Sequence, residues 1–267
     1  MILNLRLDWY LLRIMMLDRT ENFSRLFLDI FSMNTRLFLL IGIYYYLFEH
    51  KGTIILGQTL QTVAWSIFFY FAFLLLNFRY LGRTIMQEVK TGRIEILFSK
   101  PVNYLEYKFF ESIGNKLVPF VINFIVMFLG MTFVLGIPEN IQSLFFLFSF
   151  ITTLFLCIML SFLIYAILGI FSFWIEDITS LGWIIDKFVM ILGGSFLPVA
   201  FFPPFMKMLA TYSPFGASMF ITHAVYSDWP EQFFKLVSIQ IFWTVILFLF
   251  LIILYKKAKL NVSVNGG

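Results

Sequence analysis

Charged side chains are concentrated in residues 79–116. This stretch holds eleven charged residues, seven of them Lys or Arg and four of them Glu, in a chain of 267 residues that is only 13% charged. Lys, Arg and Glu are ionised at neutral pH, so their chemistry here is the formation of ion pairs. One interpretation is a solvated basic loop that contacts lipid headgroups. The other is a surface that binds another macromolecule.

Groups suited to catalysis are sparse. The chain has two histidines, His50 and His223, so a histidine-rich metal site is not expected. Ser195 with His223 as its base is the nearest approach to a hydrolase, but the glycine that should follow the serine is missing. A phosphate-binding loop of the form G-x-x-x-x-G-K-[ST] is also missing, since residues 82–84 lack the upstream glycine and the lysine. We expect no enzymatic activity, no metal and no cofactor in this chain.

The elements that position these groups are membrane helices. The chain is 61% hydrophobic, contains 37 phenylalanines and has a mean hydropathy of +0.91, which excludes an ordinary soluble domain. Its apolar runs have helical lengths and lack the alternation of barrel strands. We therefore predict an all-α polytopic membrane protein with one transmembrane domain over residues 1–267.

About six transmembrane helices are predicted. They lie within residues 30–48, 53–78, 117–135, 141–175, 183–197 and 236–255. The fourth run is longer than the bilayer core, so its helix is expected to tilt, to bend near Gly169 or to protrude. Residues 1–29 alternate charged and apolar side chains and are predicted to form an interfacial helix. Arg36 then either snorkels to headgroups, pairs with Asp29, or contacts a substrate inside the bundle.

The distribution of basic residues predicts the orientation. Five of the nineteen Lys and Arg residues lie near the amino terminus, seven in residues 79–116 and three at the carboxyl end. The predicted topology places all fifteen on one side, and the positive-inside rule makes that side cytosolic. Both termini would then be cytosolic in a multi-pass protein of the cell membrane. This placement also accounts for the net charge of +4 without a nucleic-acid partner.

Five of the eight prolines lie within residues 198–235. Residues 208–227 are uncharged and have the length of a seventh span. A seventh span would move Lys256, Lys257 and Lys259 away from the other basic residues. We therefore predict a re-entrant helical hairpin on the outer side, packed within protein.

Residues 86–101 are predicted to form short amphipathic helices at the membrane face. Gly92 ends one helix, and Pro101 forces an extended or turned chain before the next helix, which begins near Asn103. Glu88, Lys90, Arg93 and Glu95 would face the cytosol.

Two stretches of sequence resemble the type-2 ABC transporter permeases. The first is QEVKTGRIEILFSKPVNYLEYKFFE, which is similar to the cytosolic signature of the six-span branch. The second is GGSFLPVAFFPPFMKMLATYSPFG, which is similar to an outer segment with glycines, Leu-Pro, a further proline and Pro-Phe. Their order and spacing carry the resemblance. The Pro203-Pro204 pair followed by Lys207, and the high phenylalanine content, depart from the pattern and leave the outer geometry and the substrate open.

The resemblance implies an exporter permease that moves a lipophilic or amphipathic substrate out of the cytosol or the inner leaflet. It also implies a second copy or a similar permease chain, surrounding membrane lipids, and a separate cytosolic ATP-binding subunit that holds ATP and Mg. The candidate functional residues, from the resemblance and from their positions in the predicted helices, fall into three groups. ATPase coupling is assigned to Gln87, Glu88, Lys90, Gly92, Arg93, Glu95 and Pro101; the outer gate to Gly193, Gly194, Pro198, Pro203 and Pro214; and a possible pathway to Arg36, Trp65, Tyr70 and Tyr165.

Ordinary helix termination is the other interpretation of Gly193 and Gly194. Two other functions also remain open. A scaffold subunit would recruit cytosolic partners through residues 79–116 without moving a substrate, and an ATP-independent carrier would move one without an ATPase. A carrier of that kind is expected to have several ionisable groups at the membrane midplane, and the sequence offers almost none.

Overall fold

The computed structural model of the chain describes residues 5–21, 23–100 and 102–265. Within these residues the chain is mostly helical, and its strands form one short hairpin. The helices are α1 (Leu5–Glu21), α2 (Phe23–Lys51), α3 (Leu60–Leu74), α4 (Leu81–Lys90), α5 (Arg93–Phe98), α6 (Tyr104–Leu135), α7 (Leu144–Ile170), α8 (Thr179–Leu192), α9 (Pro204–Tyr212), α10 (Pro214–Ala217) and α11 (Trp229–Asn265). The hairpin pairs β1 (Ile54–Ile55) with β2 (Gln58–Thr59) in antiparallel register.

Four helices in the described part are long and apolar enough to cross a membrane. They cover Phe27–Lys51, Tyr104–Leu135, Leu144–Phe173 and Trp229–Leu260. A rise of 1.5 Å per residue makes even the 25-residue helix about 38 Å long, more than the hydrocarbon core of about 30 Å. These helices confirm the predicted all-α membrane architecture. The other two predicted spans correspond to α3 and α8, which have 15 and 14 residues.

Several helix boundaries differ from the predictions. Residues 23–29 belong to α2 and not to the amino-terminal helix, which ends at Glu21. The third predicted span is part of α6, which runs without a break from Tyr104. Residues 229–235 open α11 and do not belong to the irregular segment that precedes it. In each case the prediction followed the uncharged apolar run, whereas the helix continues beyond that run into sequence that contains polar residues.

The fifth predicted span is displaced toward the amino terminus, because α8 ends at Leu192. The Gly194 N–H donates to Ile191 O at 3.1 Å, and the Ser195 N–H donates to Met190 O at 3.1 Å. Gly194 has φ +79°, so this is a Schellman cap with glycine in the left-handed conformation. The glycine pair terminates the helix.

The segment between α8 and α11 contains short helices in place of a seventh span. Its longest helix, α9, has nine residues, and the others are α10 and two 3-10 turns at Val199–Phe201 and Phe220–His223. Four backbone carbonyl groups of this segment accept hydrogen bonds from side chains of longer helices. The bonds are Tyr44 to Phe196 O at 2.6 Å, Trp243 to Tyr212 O at 2.9 Å, Gln240 to Ala217 O at 2.9 Å and Ser66 to Thr222 O at 2.9 Å. Irregular backbone is tolerated inside an apolar protein only when its polar groups are satisfied in this way.

The core is built around α3 and the second half of α7. Every residue from Val63 to Phe73 is buried, and so is every residue from Leu160 to Ile170. In contrast, α2, α6 and α11 bury only about a fifth of their most apolar windows. The central helices therefore contact protein on all sides, and the three long helices at the periphery of the bundle expose apolar faces.

Candidate functional site

The basic segment, defined as residues 79–116, contains α4, α5 and the start of α6. The predicted breaks are confirmed: Gly92 lies between α4 and α5 with φ +69°, and its N–H donates to Val89 O at 3.1 Å. Asn103 caps α6, because its side-chain oxygen accepts the Leu105 N–H at 3.0 Å. Pro101, predicted to turn the chain, lies outside the described residues.

One face of α4 packs closely on α7. Gly169 faces Ile85, and a Cβ atom at position 169 would lie 2.6 Å from Ile85 Cδ1. Gly82 faces Leu168 in the same way, at 3.0 Å. The absence of a side chain at these two positions lets the backbones approach, which fixes α4 against the most buried helix of the core.

The opposite face of α4 is exposed and continues onto α5. Arg83, Gln87 and Lys90 are spaced by four and three residues and therefore lie on one side of α4. On α5, the apolar side chain of Ile96 is 65% exposed, and charged residues flank it. The exposed residues of α5 next to it are Arg93 and Glu95. Of the predicted coupling residues, Gln87, Lys90, Gly92, Arg93 and Glu95 are thus accessible.

Glu88 corrects the prediction, because it does not face solvent. Its position one turn beyond Ile85 places it on the buried face, where it is 7% exposed. Glu88 Oε1 lies 2.6 Å from Lys108 Nζ, and Glu88 Oε2 accepts the Tyr104 hydroxyl at 2.6 Å. Both carboxylate oxygens therefore have partners, and the residue connects α4 to α6.

Lys108 is the centre of this buried network. Its Nζ atom also lies 2.7 Å from Glu111 Oε2, and Glu111 Oε1 accepts the Tyr107 hydroxyl at 3.2 Å. Sequence analysis missed these partners, although Tyr104, Lys108 and Glu111 recur at i, i+4 and i+7. That spacing puts the three side chains on one face of α6, and this was the available signal.

Two further contacts join α4 to the start of α8. Lys90 Nζ lies 3.4 Å from Asp177 Oδ2 at the surface, and the Ile178 N–H lies 3.4 Å from Met86 Sδ. Asp177 also accepts the Thr179 N–H at 2.8 Å. Hydrogen bonding from Thr179, together with nearby Lys90, lowers the pKa of Asp177 to about 2. The carboxylate is therefore ionised at physiological pH.

A second polar group lies where α3, α7 and α8 meet. Asp186 Oδ2 accepts from Arg79 at 3.1 Å, and Asp186 Oδ1 accepts the Tyr165 hydroxyl at 2.7 Å. Next to this group is a cavity of about 80 Å³, whose wall includes Tyr70, Tyr165, Trp183, Lys187 and Met190. Asp186 and Lys187 diverge, as expected for adjacent helical residues, because Lys187 Nζ lies 5.2 Å from the Trp183 ring centroid.

The structure separates the four predicted pathway residues. Tyr70 and Tyr165 both line this cavity. Trp65 is enclosed in the core, where its indole N–H donates to Gly136 O at 3.0 Å. Arg36 is exposed on α2.

The residues predicted for the outer gate lie at or beyond the end of α8. Gly193 faces Met219, whose Cγ atom would be 2.5 Å from an added Cβ, and Gly194 faces Val199. Pro198 is buried, whereas Pro203 is exposed before α9 and Pro214 starts α10.

The sequence was compared with known protein families. Residues 31–263 match the family model described as "ABC-2 family transporter protein". This range includes the basic segment, the cavity and the outer segment. No curated protein matches the sequence.

Proposed function

Because the chain belongs to the ABC-2 family of transporter proteins, and is therefore a membrane permease of an ABC transporter, we propose that it works in export. It moves a lipophilic or amphipathic substrate out of the cytosol or the inner leaflet. The observation that carries this proposal is the arrangement of α4, which is exposed on one face and packed against α6, α7 and the start of α8 on the other.

The proposed topology has six spans, formed by the four long helices together with α3 and α8. At about 22 Å and 21 Å, α3 and α8 are shorter than the hydrocarbon core. The buried run Val63–Phe73 supports a spanning role for α3, because it is surrounded by protein and need not match the full lipid thickness. The segment between α8 and α11 re-enters the outer side of the membrane, and its satisfied carbonyl groups support that placement.

The proposed orientation puts both termini and the basic segment in the cytosol of a cell membrane protein. The fifteen basic residues predicted to lie on that side support it. A separate ATP-binding subunit docks there and holds ATP and Mg. A second copy or a similar permease chain completes the membrane part, and lipids surround the apolar faces.

The docking surface consists of the exposed residues of α4 and α5. Ile96 offers an apolar contact surrounded by charges, which is the composition of a small interface with a polar rim. Closure of the ATPase pair would push on this face. Since α4 is packed on α7 and ion-paired to α6, the displacement would pass to those helices.

Substrate movement then requires a second arrangement of the bundle. The basic segment is connected to α8 by two contacts. Lys90–Asp177 lies just before the first residue of α8, and Arg79–Asp186 lies at its middle. They would tilt α8 relative to α3 when α4 moves. Gly193 and Gly194 end α8 beside Met219 and Val199, so its outer end would pivot there.

The first test is purification from native membranes in mild detergent, with identification of the accompanying proteins and an assay for ATP hydrolysis. We expect an ATP-binding subunit to accompany the chain. Arg93→Glu should reduce its recovery to about a tenth, because reversing an interface charge removes an attraction and adds a repulsion. Lys257→Glu, at an exposed position of α11, is the matched control and should have no effect.

Repeated extraction of the chain without any ATPase would overturn the export proposal. Substrate movement in that state would identify an ATP-independent carrier. Recovery of cytosolic partners with no ATP-dependent substrate movement would identify a scaffold subunit.

A further inference from the structure

The cavity between α3, α7 and α8 carries more positive than negative charge. Arg79, Lys187 and Asp186 all line it. Arg79 is paired with Asp186, so Lys187 contributes an additional positive charge. Among the ion pairs formed by the described residues, none involves Lys187, whose recorded contact is the Trp183 ring.

A further basic side chain contacts the cavity wall. Lys116 of α6 donates from Nζ to Asn77 O, and Asn77 is part of the wall. Lys116 Nζ also lies 4.6 Å from the centroid of the Phe78 ring. Its contacts are thus a carbonyl group and an aromatic face, and Lys116 itself does not line the cavity.

The aromatic lining would by itself suit an organic cation. Two contacts oppose that choice. The Trp183 ring is already occupied by Lys187 Nζ, and both oxygens of Asp186 already accept hydrogen bonds from Arg79 and Tyr165. An entering cation would find no free carboxylate and would be repelled by Lys187, whereas an anion would find a free ammonium group.

The size and polarity of the cavity define the rest of the ligand. A volume of about 80 Å³ holds several waters or one small headgroup, and not a whole lipid. Leu74, Val189 and Met190 supply an apolar part of the wall. A ligand that uses both parts has a small charged end and an apolar body.

We propose that this cavity binds the anionic headgroup of an amphipathic substrate, with Lys187 as the principal residue that contacts the headgroup and Arg79 beside it. The substrate is a carboxylate, sulfate or phosphate that carries an apolar chain. That the bound molecule is a transported substrate rests on the proposed export function. The binding site itself can be tested without ATP or an ATPase.

The experiment uses the full chain in phosphatidylcholine nanodiscs and two fluorescent probes. Dansyl-labelled undecanoate and the dansyl-labelled undecyl trimethylammonium cation share the dye and chain and differ in the charge of the head. We expect the anionic probe to bind at least about tenfold more tightly by fluorescence anisotropy, the effect of one charge-assisted hydrogen bond. Lys187→Gln should remove that preference, and Lys187→Glu should reverse it.

Lys256→Gln, at an exposed position of α11, is the control and should keep the preference. Equal binding of the two probes, or an anion preference that survives in Lys187→Glu, would overturn the inference. Displacement of the anionic probe by inorganic phosphate at equal concentration would overturn its amphipathic part. If no ATPase accompanies the chain but the anion preference is intact, the result counts against the export proposal and not against the anion-binding cavity. The two proposals can therefore fail separately.

Discussion

Lys108 is only 1% exposed, although lysine is a residue type that proteins rarely enclose. It is retained because Glu88 and Glu111 lie within 2.7 Å of its ammonium group, while Tyr104 and Tyr107 donate to the remaining carboxylate oxygens. Such a network is costly to disrupt from one side, since a buried charge would be left without its partner. Its consequence for function is a stiff connection between α4 and α6.

Lys108→Met should lower the free energy of unfolding by about 3 kcal/mol, because the buried Glu88 and the half-buried Glu111 lose their shared cation. Thermal unfolding of the purified chain in detergent measures this change. Lys257→Met removes an exposed lysine and should change it little. The double variant Glu88→Gln with Lys108→Met should be more stable than additive losses predict. Strict additivity would show that the two residues are not coupled.

At the scale of elements, the packing of α4 on α7 depends on Gly169. Ile85 occupies the space that a side chain at this position would need. A displaced α4 would still present its exposed face but would transmit motion poorly.

Gly169→Ala should therefore destabilise the chain by about 1–2 kcal/mol, the cost of overpacking, despite the better helix propensity of alanine. Gly42→Ala is the matched control, since nothing lies within 4 Å of a Cβ there, and it should be neutral or stabilising. The two unfolding curves measured in the same detergent give the comparison. Gly169→Ala at or above wild-type stability would contradict the close contact.

The segment between α8 and α11 depends in the same way on hydrogen-bond donors from other helices. Gln240 is fully buried and donates to Ala217 O at 2.9 Å. Gln240→Leu should cost about 1–2 kcal/mol, because that carbonyl group loses its side-chain donor. Ser238→Ala is a suitable control, since its hydroxyl bonds within α11 to Phe234 O. Equal stability of the two variants would remove the proposed role of Gln240.

At the scale of the whole molecule, the bundle has an enclosed centre and an apolar periphery. About 72% of the most apolar window of α7 is buried, against 17% for both α2 and α11. The central helices are thus stabilised by protein contacts, whereas the peripheral helices α2 and α11 leave most of their apolar windows exposed in the single chain.

Cys157, the one cysteine of the sequence, is fully buried on α7 and reports on this enclosed centre. We expect a membrane-permeant maleimide to label it only when the bundle unfolds. Mass spectrometry over a denaturant series would measure the labelled fraction. Ser238→Cys, at an exposed position of α11, should label under native conditions as well. Rapid native labelling of Cys157 would contradict the enclosed packing of α7.

The local signals of the sequence determined the membrane architecture and the breaks in the basic segment. Long apolar runs predicted the helices α2, α6, α7 and α11, because lipid requires continuous helical hydrogen bonding over a fixed length. Gly92 and Asn103 marked helix ends because the left-handed cap and the side-chain cap act within three or four residues.

The tertiary structure alone decided which polar groups face each other. Glu88 belongs to an exposed charged stretch by sequence, yet its partner Lys108 lies twenty positions away on another helix. The carbonyl groups of the segment between α8 and α11 likewise find donors on α2, α3 and α11, far away in sequence. Such pairings depend on how helices pack, and the energy of a buried charge or carbonyl group is set by whichever neighbour the fold brings to it.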